Sequence, residues 1–333
     1  MSQPEAGRLH GAGSAGEGPA ARAAPRPPAA DLPVDVQAVG ALQGFWLPEP
    51  GISLEHCVWR LGAQPLGEGW DNVLWPVGEA DGTTLVARVV RRRSARPLLA
   101  REVTVLRHLA ARSDQLAMRV PAPLATAKDA LLIPWLPGIT AAEADSAGRI
   151  RAGEQLARML AQVHSSEVPL MERSTVRGVP LSTRAHAFAE DLERAELPPR
   201  CEAHAVDRWE RGLAARAWTG EDLLLHGDPH PGNVVVDDAA EGNRIVAALI
   251  DWGDTTAGDP ASDLGALLLH GLGAAPLETY RASAIWEGIE VDEIWGPLVA
   301  RAHAWATRMA LSLTGAYPSN HPLGQVAGRL LRG

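Results

Sequence analysis

Between residues 223 and 268 the chain reads L-L-L-H-G-D-P-H-P-G-N-V-V-V, then I-D-W-G-D, then G-D-P-A-S-D-L. Residues 223–225, 234–236 and 245–250 are apolar runs too short for helices and bounded by Gly, Pro and Asp, so they read as buried strands. The first ends at His226 and opens a loop that carries Asp228 and, five residues on, Asn233; the last runs straight into Asp251. Neighbouring strand ends thus deliver one amide and one carboxylate to a common point. These are hard oxygen ligands, suited to Mg²⁺ and not to zinc. Asp228, in the turn beside them, is placed to take the hydrogen bond of a hydroxyl. A metal between phosphates and a carboxylate that orients an attacking hydroxyl are the parts that phosphoryl transfer needs.

The rest of the chain changes character once. Residues 1–30 are mostly Ala, Gly, Pro, Ser and Arg. They are too poor in large apolar side chains to offset ordering entropy and read as a disordered tail. Residues 57–63, 72–77 and 84–90 read as strands of an antiparallel meander, with a turn at Gly78-Glu79-Ala80-Asp81-Gly82. Apolar residues at 98, 99, 103, 105, 106 and 109 have helical spacing behind Pro97, which suits a first turn. A strand at 130–133 stops at Pro134, and Pro137-Gly138 breaks the chain. The lobe boundary is placed there, giving an N-terminal lobe over 31–136 and a C-terminal lobe over 137–333. Beyond it helices are expected at 149–164, about 183–195, about 202–218, and again from Asp259 to the end. Strands first and helices later make an α+β bilobal protein.

Composition excludes several classes. An apolar fraction of 46% and a charged fraction of 21% allow a sizeable core. A net charge of -9 argues against nucleic acid as a partner. No apolar run reaches the ~18 residues of a membrane span, and the N-terminus lacks the apolar segment of a secretory signal, so a cytoplasmic protein is expected. Cys57 and Cys201 form neither a disulfide framework nor a metal-ligand pattern. A two-metal hydrolase would need more His ligands than the region offers. An inactive binding protein would be expected to lack Asp228, Asn233 or Asp251, and all three are present.

The three motifs, in this order and spacing, resemble those of the aminoglycoside phosphotransferase family, small-molecule kinases with a protein-kinase-like fold. The resemblance spans roughly residues 50–315. It implies an N-terminal antiparallel sheet lobe with a larger, mainly helical C-terminal lobe, and use of ATP or GTP with Mg²⁺. It implies that Asp228 is the catalytic-loop aspartate and that Asn233 and Asp251 hold the metal. It puts Arg88 where kinases carry a Lys for the phosphates, paired with Glu102 on the next helix, since the sole Lys, Lys128, stands too late in the chain. It makes Gly67 and Gly69 part of the loop over the nucleotide and the backbone at Ile133 and Trp135 the reader of the purine. Asp263 would brace the catalytic loop. The stretch Arg177-Gly178-Val179-Pro180-Leu181 also matches one seen in many bacterial members.

His226 and His230 read as structural hydrogen bonders of the loop, with His230 also able to approach metal or phosphate. Asp259 before Pro260 reads as a helix cap, and Trp252 as packing. Asp254 is a candidate acceptor contact or a solvated loop acid. For the acceptor, residues 190–210 hold seven acids against three Arg, and Glu287 and Glu290 lie near Trp286 and Trp295. Such a surface suits an amino-sugar ligand through ion pairs and cation–π contacts. An aminoglycoside is therefore the first acceptor, a macrolide the second, and a sugar or amino alcohol the third. The sequence is silent on oligomeric state.

Overall fold

The structure, a computed structural model, describes residues 27–237, 246–271, 273–284 and 291–332. A short helix α1 (Val36–Gly40) precedes strands β1 (Leu47–Pro48), β2 (Val58–Trp59), β3 (Gly67–Glu68), β4 (Asn72–Ala80), β5 (Thr83–Val90), β6 (Ala125–Ala127) and β7 (Ala130–Pro134). They form one seven-stranded antiparallel sheet in the order β1-β6-β7-β5-β4-β2, with β3 also on β4. The continuous apolar run of β5 is explained by its place between two neighbours, where Leu85, Val86, Ala87, Val89 and Val90 are all buried.

Three local expectations are corrected. β4 continues to Ala80, and the turn is only Asp81-Gly82, both at positive φ (49° and 76°). That is the two-residue connection that a right-twisted hairpin demands. Gly78 belongs to the strand: a β-carbon there would lie 2.6 Å from the Val58 carbonyl oxygen, so the glycine permits the close crossing of β2. Of the strand expected at 57–63, only Val58–Trp59 pairs. Pro134 does not stop β7. It lies opposite Leu85, between the Val86–Ile133 pair and the Trp135-to-Thr84 hydrogen bond, where no ladder N–H is required.

Helix α2 (Arg96–Ala110) follows the sheet but buries Val105, Leu106 and Leu109 in the larger core, with Trp252 and Leu156. That core continues through α3 (Ser146–His164), α4 (Ala185–Ala195), α5 (Pro199–Ala214), α6 (Ala261–Leu268), α7 (Ala275–Ser283), α8 (Val291–Ala316) and α9 (Pro322–Arg332). α5 starts earlier than expected, with Pro199 in its first turn, and ends at Ala214. Small antiparallel sheets join β8 (Ile139–Thr140), β10 (Val234–Asp237) and β11 (Val246–Leu249) in the order β11-β10-β8, and β9 (Leu223–Leu225) with β12 (Thr256–Gly258). The molecule is an α+β protein with a curled antiparallel sheet in one half and helices in the other. Asp259 accepts a hydrogen bond from Ala261 N (3.0 Å) at the start of α6 and pairs with buried Arg301 of α8 (2.7 Å). Among the described residues no helix is long and apolar enough to cross a membrane.

Candidate active site

The loop from β9 to β10 is tied down by Asp263, one turn into α6. Its carboxylate accepts hydrogen bonds from His226 N (2.8 Å) and Gly227 N (2.9 Å) and meets His164 Nε2 at 3.2 Å, with His164 Nδ1 in turn 2.8 Å from the Tyr280 hydroxyl. His226 is completely buried. Its Nδ1 accepts from Asp228 N (3.2 Å), so Nε2 carries the proton and donates to the Ile250 carbonyl (3.1 Å). Burial lowers its pKa and keeps it neutral. His230 Nδ1 accepts from Gly232 N (2.9 Å), and its Nε2 stands 3.8 Å from Asp228 Oδ2. Both imidazoles therefore hold backbone. Trp252 is completely buried and donates from Nε1 to the Leu249 carbonyl (2.9 Å).

The β10–β11 register sets Val234 opposite Leu249, and Ile250 N donates to the Asn233 carbonyl (3.0 Å). Asn233 and Asp251 are thereby neighbours at the same sheet end. The Asn233 amide nitrogen donates to the Asp228 carbonyl (2.9 Å), which leaves its amide oxygen as the free ligand atom. Asp251 takes left-handed backbone (φ 64°), and its carboxylate reaches across to β5. There Arg88 pairs with Asp251 (2.6 Å) and with Glu102 of α2 (2.9 Å). Arg88 holds Asp251 below its ordinary pKa, whereas burial pushes Glu102 up to about 7 against the pull of Arg88. Asp254 lies in the next turn, 3.5 Å from Arg177. Burial raises its pKa, and the nearby charges of Asp228 and Asp251 add to the rise.

Gly67 and Gly69 lie in β3 and just after it. A β-carbon would meet nothing within 4 Å at Gly67 and only the Asn72 carbonyl oxygen, at 3.6 Å, at Gly69. The fold itself therefore has room for side chains there, and a closely approaching ligand is a reason for their absence. Arg91 pins this loop by donating to the Gly69 carbonyl (2.8 Å) and pairing with Glu68 (2.7 Å). The purine-reading positions need revision. Trp135 N donates to the Thr84 carbonyl (2.8 Å), and Ile133 pairs with Val86 in the ladder. By strand alternation the Pro134 carbonyl, at the end of β7, faces away from β5.

One residue with no role assigned from sequence enters the site. Arg177 places a guanidinium nitrogen 3.0 Å from Asp228 Oδ1. The sequence offered no signal beyond the R-G-V-P-L stretch, because 51 residues separate the partners and they meet through hydrogen bonds that tie segment 174–178 to β12 and α6, from Ser174 N to Thr256 Oγ1, from Gly178 N to Ser262 Oγ and from Asp259 N to the Gly178 carbonyl. Glu287 and Glu290 lie outside the described residues, as do Trp286 and most of the 1–30 segment. Three of the acids of α4 and α5 are engaged in pairs: Asp191 with Arg194 (2.8 Å), Glu190 with His186 (3.3 Å), and Asp207 with Arg211 (2.9 Å).

Among the described residues no three His, Cys, Asp or Glu side chains converge into a metal cage. The Asn233 and Asp251 oxygens nevertheless fit Mg²⁺, which keeps waters and takes phosphate oxygens and so needs only one or two protein ligands.

Comparison with known proteins agrees with this geometry. The family model described as the phosphotransferase enzyme family matches residues 62–295. A curated relative, the uncharacterized protein YcbJ of Bacillus subtilis, is 26% identical over 109 residues, and the chain spans only 34% of that relative's length, over 32% of its own. Macrolide 2'-phosphotransferase MphH from Brachybacterium faecium superposes with a TM-score of 0.50 at 24% identity, over 87% of this chain and 100% of that one. Aminoglycoside 2'-phosphotransferase-IIIa in its GDP complex gives a TM-score of 0.57 at 16% identity, over 90% and 98%. At these identities the structural neighbours establish the fold, and the family match covers most of the chain. The protein is therefore a member of the phosphotransferase enzyme family, with the kinase-like fold of aminoglycoside and macrolide phosphotransferases.

Proposed function

We propose that this protein transfers the γ-phosphoryl group of ATP or GTP to a hydroxyl of a small-molecule acceptor. One observation supports this above the others: Asp228, Asn233, Asp251, Arg88 and Glu102, drawn from four separate elements, gather in one cluster. In the proposed step the acceptor oxygen bonds to the γ-phosphorus as the bond to the β-phosphate oxygen breaks. The hydroxyl proton passes to Asp228, and the nucleoside diphosphate leaves. Arg177 orients the Asp228 carboxylate through their 3.0 Å pair. Arg88, braced by Glu102, meets the phosphates. Asn233 and Asp251 would hold Mg²⁺, which when bound neutralises charge between the phosphates. The Pro134 carbonyl takes the place expected of Ile133 and Trp135 in reading the base.

The structural neighbours include APH(2")-IIia bound to GDP and kanamycin, as well as the macrolide enzyme. Aminoglycoside and macrolide acceptors are therefore supported alike, with a sugar or amino alcohol as the metabolic alternative. The test is Mg²⁺-dependent nucleotide turnover across a panel of all three classes, with Asp228→Asn as control. Acceptor-stimulated turnover should fall about a thousandfold in the variant, the range for loss of a proton acceptor. Failure of the wild type to bind Mg²⁺–nucleotide would overturn the reading.

A further inference from the structure

Three arginines gather near Asp228, among the carboxylates of Asp228, Asp254 and Asp191. Arg177 stands between Asp228 and Asp254. Arg184 ends the 3-10 turn Leu181–Arg184 that leads into α4. Its side chain makes no hydrogen bond or ion pair with any described residue, and its Nε is buried without a partner. Arg308, on α8, lies within electrostatic reach of Arg184, Arg177 and Asp228. Its nearest carboxylate is Asp191 at 3.7 Å, which Arg194 already holds at 2.8 Å, and its Nε too is buried and unpartnered.

These charges crowd one another. The Arg308 guanidinium is pushed down to about 10, first by burial and then by Arg184 and Arg177, which outweigh the opposing pull of Asp191 and Asp228. Arg184 is lowered by burial and by Arg177, against the pull of Asp191. Both α4 and its leading turn pack on α8, so the crowding is built into the helix packing. Tyr317, just past α8, has its pKa raised by burial and by the charge of Asp228, which places this end of the helix on the same side of the site. Partly buried like charges are destabilising unless a counter-ion is bound, and crowding of this kind beside a reactive group marks a functional site. A guanidinium fork matches carboxylate and phosphate oxygens.

We propose that Arg184 and Arg308, with Arg177 at the edge facing Asp228, bind an anionic group of the acceptor, which is then a hydroxyl compound carrying a carboxylate or a phosphate ester. The inference rests on the phosphotransferase reading for the hydroxyl that Asp228 receives, and it departs from the cation-seeking acceptor expected from the acids of α4 and α5.

The test begins with inorganic sulfate at constant ionic strength, titrated by calorimetry into wild type, Arg184→Gln, Arg308→Gln and, as control, Arg60→Gln, an exposed residue just past β2. Sulfate should bind the wild type and Arg60→Gln alike, and about tenfold more weakly to Arg184→Gln and Arg308→Gln. Without anion these two variants should melt no lower than wild type, because they relieve repulsion. Equal sulfate affinity in all proteins, no sulfate binding to wild type, or unfolding of Arg184→Gln and Arg308→Gln would overturn the proposal. In a second arm, sugar acids and sugar phosphates are compared with aminoglycosides as stimulants of Mg²⁺–nucleotide turnover. Stimulation by acids alone assigns a carboxylate, and by sugar phosphates alone a phosphate. Stimulation by aminoglycosides alone sinks the anionic acceptor while the phosphotransferase stands. Absence of Mg²⁺–nucleotide binding sinks the phosphotransferase reading, and the sulfate arm still decides whether the arginines form an anion site.

Discussion

Gly227 holds the turn into Asp228 at φ 92°, and a β-carbon there would lie 2.1 Å from the Asp254 carbonyl oxygen. Two loops that both carry acids thus approach each other at backbone distance, which only a glycine permits. Gly227→Ala should destabilise the protein by at least about 2 kcal/mol, the scale of a forced left-handed conformation combined with a clash. Denaturant titration would show it, and an unchanged midpoint would refute the close approach. Asp251 also sits in left-handed backbone, and aspartate is among the few residues that tolerate it. At this scale the Asp228, Asn233 and Asp251 cluster was legible in the sequence, because its spacing and strand-end positions are local. Arg177 was not, since nothing along the chain marks which of 31 basic residues will face Asp228.

At the scale of elements, α6 does more than cap. Its Asp263 binds the β9–β10 loop, its leading Asp259 binds Arg301 of α8, and just past its end His270 is completely buried near the Pro229 carbonyl. Burial lowers the His270 pKa from 6.5 to about 3. The folded state therefore keeps this imidazole neutral, while the unfolded chain takes up a proton below pH 6.5. Stability from His270 is complete above pH 6.5 and is lost as pH falls toward about 3, by up to about 1.4 kcal/mol per unit. His270→Leu should flatten the acid limb of the stability profile. Buried His226, shifted in the same direction, leaves a residual slope. An unaltered profile between pH 6.5 and pH 4 would show that His270 is protonated in the fold. Helical spacing announced α2 and α3, but strands of two or three residues such as β1, β8 and β12 carry too little pattern to be read before their partners are known.

Across the whole molecule, Arg88 of the sheet joins Glu102 of α2 and Asp251 of the opposite half. Removing it leaves Glu102, 1% exposed, without a counter-charge. Arg88→Ala should therefore lower stability by about 3 kcal/mol, as for other broken buried pairs, and weaken Mg²⁺–nucleotide binding. Because burial already pushes Glu102 toward protonation, the loss should be smaller at pH 5 than at pH 8. Adding Glu102→Gln to Arg88→Ala should restore part of the stability without restoring nucleotide binding. A double variant no more stable than Arg88→Ala alone would show that Glu102 is not the buried charge at stake.

What the sequence by itself determined is the order of the two halves, the loop that carries Asp228 and the strand-end donors, because hydrophobic period, turn chemistry and short motifs act over a few residues. Tertiary structure alone decided the direction of the Trp135 amide, the departure of α2 into the larger core and the meeting of Arg177, Arg184 and Arg308 beside Asp228. Those outcomes depend on strand register and helix packing between segments distant in the chain. At such separations charge, burial and direction are properties of the packed molecule and leave no local trace.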